Sequence, residues 1–129
     1  MKVDHLVIYP SGELKWVSLD FNRRYDDLYC GEYAYNLDQI YKVIDCDCVE
    51  QVSTRIESLV MLIDESGKCK SPPQQHNELA SRLYGGYRFG DFIAGPAIFF
   101  CQEGPNLRPV FPSTLSLLSL LLGVPLPEN

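Results

Sequence analysis

The chain has 129 residues, of which 46% are hydrophobic and 22% are charged, and its formal net charge is −6. This composition predicts a single folded domain over residues 1–129 with an apolar core, and it excludes a disordered chain. Because surfaces that bind duplex nucleic acid are usually basic, duplex nucleic acid is not an expected partner.

The chain is predicted to begin with a β-hairpin. Residues 3–9 and 13–19 have strand-like composition, and Pro10-Ser11-Gly12 between them is typical of a tight turn. Residues 21–35 have no regular hydrophobic period, so we expect an extended excursion or a short irregular strand there.

The middle of the chain is predicted to form a helix followed by two strands. Asn36 is a suitable N-cap for a helix over residues 37–44, whose apolar positions recur at helical spacing. Residues 48–56 and 58–64 are predicted strands, and the polar residues 64–68 form a predicted turn.

Beyond a break at Pro72-Pro73, a short helix is expected over about residues 75–84, followed by a glycine-rich loop and a strand over 92–101. Ser113 is the expected cap of a last helix that ends before Gly123. Together these elements predict an α+β fold. We expect an antiparallel sheet of about five strands with two or three short helices on one side, the last helix being leucine-rich and C-terminal.

The C-terminal helix carries leucines on nearly every side. A helix of that kind is normally buried all round, which a chain of this length can hardly achieve at its end. The sequence therefore predicts a homo-oligomer in which this helix packs against another copy. The expected interface residues are Leu115, Leu118, Leu121 and Leu122.

The loop over residues 83–91 is the leading candidate for a binding site. It combines three aromatic rings with arginine and glycine: Tyr84, Tyr87 and Phe89 can stack on a flat ligand, and Arg82 and Arg88 can pair with an anion. The alternative is a structural turn whose rings fill the core and whose arginine is solvated.

A second segment, Arg23, Arg24 and Tyr25, has the same chemistry. If the two segments converge, they would complete a pocket for a nucleotide-like small molecule. The alternative is a solvated charge cluster countered by Asp26 and Asp27.

Metal binding and catalysis have little support in the sequence. Cys46, Cys48, Cys69 and His76 lack the paired spacing of a zinc site, so no metal and no cofactor are expected. No serine-hydrolase, zinc-protease or phosphate-loop motif occurs, and we therefore predict no catalytic residues and a non-enzymatic protein.

The expected location is the cytoplasm. The five cysteines are odd in number, and the N-terminus lacks the apolar core of a signal peptide. The longest apolar run, near residues 115–122, is too short to span a bilayer, so no membrane partner is expected.

From about Asn36 onward the chain resembles a small domain family of unknown function that is common in phages, prophages and conjugative elements. The resemblance rests on four segments: Leu37-Asp38-Gln39-Ile40, the run from Val60 to Lys68, Pro72-Pro73 with Asn77, and the run from Gly90 to Ala97.

The resemblance implies a viral or mobile-element protein that acts in the host cytoplasm. Phage anti-defence sponges offer an analogy of design, since they sequester cyclic nucleotides or cyclic ADP-ribose isomers as oligomers. The expected function is thus a binding protein that sequesters a nucleotide-derived immune signal. The alternative is a protein–protein inhibitor or interaction module that acts on a host protein.

Overall fold

The structure is a computed structural model that describes residues 2–24 and 32–128, with the backbone alone at 22–24 and 32–34. Within these residues the chain forms seven strands, three α-helices and one turn of 3₁₀ helix at Tyr87–Phe89. The strands are β1 (Lys2–Ile8), β2 (Leu14–Arg24), β3 (Glu32–Tyr35), β4 (Val49–Ser53), β5 (Leu59–Asp64), β6 (Ala97–Glu103) and β7 (Asn106–Arg108). The helices are α1 (Leu37–Ile44), α2 (Glu78–Leu83) and α3 (Pro112–Leu122).

The strands form one antiparallel sheet in the order β3-β2-β1-β6-β5-β4. β6 pairs with β1 at its start, where Val7 lies opposite Ile98, and with β7 at its end, where Cys101 lies opposite Arg108. The predicted α+β fold with an antiparallel sheet and a leucine-rich C-terminal helix is confirmed.

The sheet is covered by helices on both faces. Leu83 of α2 and Leu118 of α3 pack with Phe99 on one face, whereas Ile40 of α1 packs with Phe100 on the other. The expectation that the helices share one side is therefore wrong. The physical reason is that the central strands β5 and β6 are apolar at successive positions, so both of their faces must be shielded from water.

The first half of the chain is more regular than its sequence pattern suggests. β2 continues to Arg24 and pairs with β3, so that Phe21 lies opposite Tyr35; of the two expectations for this segment, an extended excursion or a short irregular strand, the structure shows strand at both of its ends. Cross-strand pairing supplies a regularity that hydrophobic period alone does not reveal. The predicted bounds of α1 are confirmed, and Asn36 caps it by accepting a hydrogen bond from the Asp38 N–H at 3.0 Å.

The C-terminal helix α3 begins two residues earlier than the predicted cap at Ser113 implies, with Pro112 in its first turn and Phe111 at the cap position. A proline in the first turn lacks only an N–H that would have no partner within the helix. Gly123 ends the helix in the left-handed conformation, at φ +71°, as its sequence position predicts.

Two of the four predicted interface leucines lie inside their own chain. Leu118 and Leu122 are buried in the core, so their assignment to an oligomer contact is wrong, while Leu115 packs partly against the same core. Leu121 is half-exposed, and the sequence prediction missed the exposed Leu117 and Leu120. The sheet covers one stripe of α3 and leaves the opposite stripe to solvent.

Asn77 holds α2 to the sheet through a fully buried side chain. Its amide nitrogen donates to the carbonyl oxygens of Ile8 at 3.0 Å and Gly95 at 2.9 Å, and its amide oxygen accepts from the Ala80 N–H at 3.2 Å. One side chain thus caps a helix and satisfies two buried carbonyls on different segments.

We expect Asn77→Ala to lower the free energy of unfolding by about 2–5 kcal/mol, because it removes a helix cap and leaves two buried carbonyls without a donor. Urea denaturation followed by circular dichroism measures the loss. Asn36→Ala is the matched control, since Asn36 also caps a helix but is exposed, and about 1 kcal/mol is expected there. Equal losses for the two variants would contradict the role assigned to Asn77.

Candidate ligand-binding site

A cavity of about 490 Å³ lies where the chain leaves α2 and passes the end of β4. Its lining combines cationic, aromatic and small residues: Thr54, Arg55, Arg82, Tyr84, Gly85, Tyr87 and Arg88.

The base of the cavity is backbone held by hydrogen bonds. The Arg55 N–H donates to the Leu83 carbonyl at 2.9 Å, and the Gly85 N–H donates to the Ser53 carbonyl at 3.3 Å. Thr54 and Tyr84 form an antiparallel bridge between these bonds. The segment after α2 therefore acts as a short strand on the outer edge of β4, which fixes the backbone that carries the arginines.

The loop beyond this bridge is a compact turn. Residues Tyr87–Phe89 form one turn of 3₁₀ helix, and the Gly90 N–H closes it on the Tyr87 carbonyl at 3.0 Å. Gly90 has φ +86°, a backbone conformation that residues other than glycine rarely adopt. The Asp91 N–H then donates back to the Gly86 carbonyl at 3.3 Å, so both ends of the turn are tied together.

Asp91 clamps this loop to the turn that follows β5. It forms an ion pair with Lys68, and its other carboxylate oxygen accepts from the Tyr84 hydroxyl at 2.9 Å. The hydrogen bonds from Lys68 and Tyr84 hold the pKa of Asp91 below its usual range. The same bond to Asp91, with burial, raises the pKa of Tyr84, so this phenol is neutral at physiological pH.

Tyr84 is a structural part of the cavity wall and not a free stacking surface. Its ring packs against the core and lies so close to Gly86 that a β-carbon there would come within 2.7 Å of Cζ. Tyr87, in contrast, is 43% exposed and lines the same cavity. The ring available for stacking inside the cavity is that of Tyr87.

Three of the chain's six arginines line this one cavity. Arg82 is partly neutralised by Glu78, whose carboxylate lies 3.3 Å from its Nε. Within the described part of the chain, Arg55 and Arg88 form no ion pair, and the Arg88 guanidinium lies 4.9 Å from the centre of the Phe89 ring. Three arginines are thus concentrated around one cavity in a chain whose net charge is −6.

The predicted site is brought together only in part. Arg82, Tyr84, Tyr87 and Arg88 meet in the cavity, but Phe89 lies outside its lining and is 78% exposed. Arg55 was missed by sequence reasoning, because it is a single arginine after a strand and only tertiary pairing brings it to the loop.

Arg23 and Arg24, the described residues of the second aromatic-arginine segment, do not join this site within one chain. Arg23 and Arg24 end β2, which β1, β6 and β5 separate from β4. At ordinary strand spacing this is about 19 Å across the sheet. Tyr25 lies outside the described residues.

His76 and Ser81 are neighbours without forming a catalytic relay. The Ser81 oxygen and the Glu78 carboxylate approach the same nitrogen of His76, Nε2, at 3.3 and 3.4 Å. A serine–histidine–acid relay requires the acid on the opposite ring nitrogen. Ser81 is also buried, and its hydroxyl donates to the Asn77 carbonyl at 2.6 Å.

His5 has a structural role in the core. Its Nδ1 donates to the Phe99 carbonyl at 2.8 Å, and its Nε2 accepts from the Tyr35 hydroxyl at 2.9 Å. Burial lowers the pKa of His5 and raises that of Tyr35, so both groups are neutral.

Among the described residues, no three His, Cys, Asp or Glu side chains are grouped so that they would hold a metal ion. Cys46, Cys48, Cys69 and Cys101 are free thiols, and Cys30 lies outside the described residues. No helix within residues 2–24 and 32–128 has the length and apolar character needed to cross a membrane.

Comparison of the chain with protein-family models, curated proteins and solved structures found no match.

We expect Gly86→Ala to lower the free energy of unfolding by about 1–3 kcal/mol, since its β-carbon would overlap the Tyr84 ring, which Asp91 holds in place. Gly85→Ala is the matched control: its β-carbon would meet no atom closer than 3.9 Å. Thermal unfolding of both variants measures the difference. The explanation fails if Gly86→Ala is as stable as Gly85→Ala, or if removing the ring with Tyr84→Ala does not relieve the added loss.

Proposed function

We propose that the protein is a non-enzymatic binding protein whose cavity takes a nucleotide-like anion. The observation that carries this proposal is the meeting of Arg55, Arg82 and Arg88 around one cavity in an acidic chain. Guanidinium groups bind phosphate through paired, charge-assisted hydrogen bonds, and two of the three have no carboxylate partner among the described residues.

The size and lining of the cavity suit a small phosphorylated molecule with a flat ring. Its volume of about 490 Å³ falls within the range of about 300–1,000 Å³ that is usual for small-molecule sites. The exposed ring of Tyr87 offers a stacking surface beside the arginines, which is how aromatic side chains bind bases without sequence readout.

The lining groups favour holding a ligand over converting it. They are guanidinium groups, phenol rings and the Thr54 hydroxyl, whose single proton is shared between the carbonyls of Ile56 and Leu59. Sequestration of a nucleotide-derived immune signal in a phage-infected host is the setting that the family resemblance suggests for such a site. A protein that sequesters a ligand needs high affinity, and a rigid cavity raises affinity because less entropy is lost on binding. The backbone bridge between Thr54 and Tyr84 makes this cavity rigid.

We expect Arg55→Ala and Arg88→Ala each to weaken binding of ADP by about 10- to 100-fold, as expected for losing a charge-assisted contact of about 1.5–3 kcal/mol. Isothermal titration calorimetry measures the affinities. Lys42→Ala is the matched control, because it removes one positive charge from α1 on the other face of the sheet.

Wild-type protein that gives no heat with ADP, or a Lys42→Ala loss equal to those of the arginine variants, would overturn the assignment. Recovery of unaltered ADP after denaturation of the complex separates sequestration from turnover. Appearance of AMP or adenosine would instead indicate a hydrolase.

A second candidate function is an interaction module that uses the exposed face of α3. Leu117, Leu120 and Leu121 stand in solvent there, and the helix carries no charged residue. Exposed leucines on an uncharged helix are typical of contact surfaces. A second copy of this chain is a suitable partner for this face of α3. The helix carries no charge, so two copies of it can meet without the electrostatic repulsion that a net charge of −6 produces between other parts of the two surfaces.

We expect Leu120→Glu to shift the protein from dimer or higher oligomer to monomer at micromolar concentration, since a buried carboxylate in the contact would have no partner. Sedimentation velocity measures the change. Leu37→Glu is the matched control, because Leu37 is an exposed leucine on α1. A wild-type monomer would refute self-association, and binding of a host protein to such a monomer would support an inhibitor.

A further inference from the structure

Phe89 is an exposed aromatic residue that the cavity does not explain. It is 78% exposed, does not line the cavity, and lies beside Arg88, which does. An exposed phenylalanine next to an arginine is the pairing from which stacking sites for bases are built.

The 3₁₀ turn directs the three side chains differently. Successive residues of a 3₁₀ helix are about 120° apart, so Tyr87 and Phe89 do not share one face. Tyr87 lines the cavity and Phe89 stands outside it. The Phe89 N–H donates to the Gly86 carbonyl at 3.0 Å, which holds this arrangement at the end of the loop.

Arg88 belongs to the cavity wall and also lies beside Phe89. It lines the cavity together with Tyr87, and its guanidinium also lies 4.9 Å from the centre of the Phe89 ring. A phosphate bound to Arg88 would therefore have one aromatic surface inside the cavity and another outside it. A single nucleotide in the cavity would use only the first.

We infer that the ligand carries two flat rings joined through phosphate, with one base on Tyr87, the phosphate at Arg88 and the second base on Phe89. This inference rests on the proposed function and narrows its ligand to the dinucleotide class. A free dinucleotide and two neighbouring nucleotides of a single strand share this chemistry.

The test compares ligands with one and two bases. Fluorescence anisotropy competition or calorimetry with AMP and with the 5′-phosphorylated diadenylate pApA measures both affinities on wild type, Phe89→Ala and Tyr87→Ala. We expect wild type to bind pApA about 5- to 100-fold more tightly than AMP, the gain expected from stacking one more base. Phe89→Ala should remove that gain and leave AMP binding unchanged, whereas Tyr87→Ala should weaken both ligands.

Phe89→Trp is the matched control, since it keeps a flat ring at the same position and should retain the preference for pApA. Equal wild-type affinities for AMP and pApA would overturn the inference while leaving the proposed function intact. The inference is also overturned if Phe89→Ala weakens the binding of AMP and of pApA by the same factor. Failure of wild type to bind ADP, AMP or pApA would overturn the proposed function itself.

Binding of longer oligoadenylates distinguishes a free dinucleotide from a single nucleic-acid strand as the ligand. Affinity that stops rising at two nucleotides supports a free dinucleotide signal as the ligand. Affinity that continues to rise with length supports a single nucleic-acid strand, and both results require the Phe89 surface.

Discussion

The buried amide of Asn77 is the interaction on which the rest of the structure depends. It joins the end of β1, the segment before β6 and the first turn of α2 through three hydrogen bonds. Water cannot replace these bonds because the Asn77 side chain is fully buried. Because α2 leads directly into Tyr84, the position of that helix determines where the loop meets β4. The cavity is thus set by a polar contact at the opposite end of α2.

The cavity combines a rigid backbone with exposed cations. Arg55 and Leu83 are linked through their main chains, while the guanidinium groups of Arg55 and Arg88 remain accessible to a ligand. The clamp at Asp91 removes the hydroxyl of Tyr84 from binding and leaves Tyr87 as the accessible ring. A preformed site loses little entropy when a ligand binds, which agrees with the sequestering role that we propose.

Part of the site was predictable from local sequence. Three glycines close to three aromatic residues and an arginine indicate a tight, ring-bearing loop, and Tyr87 and Arg88 do line the cavity. Arg55 was not predictable, because its partner Leu83 lies 28 positions away and nothing in the intervening pattern specifies that pairing. The separation of Arg23 from the loop likewise follows from strand order, which local composition does not encode.

The sequence alone determined the elements whose signals are local: the cap and bounds of α1, the polar turn after β5 and the glycine that ends α3. These follow from backbone preferences and side-chain hydrogen bonds within a few residues. Tertiary structure alone decided that helices cover both faces of the sheet and that Leu118 is buried while Leu120 is exposed. The reason is that a uniformly apolar helix has no preferred face of its own, so the surface against which it packs selects the buried one.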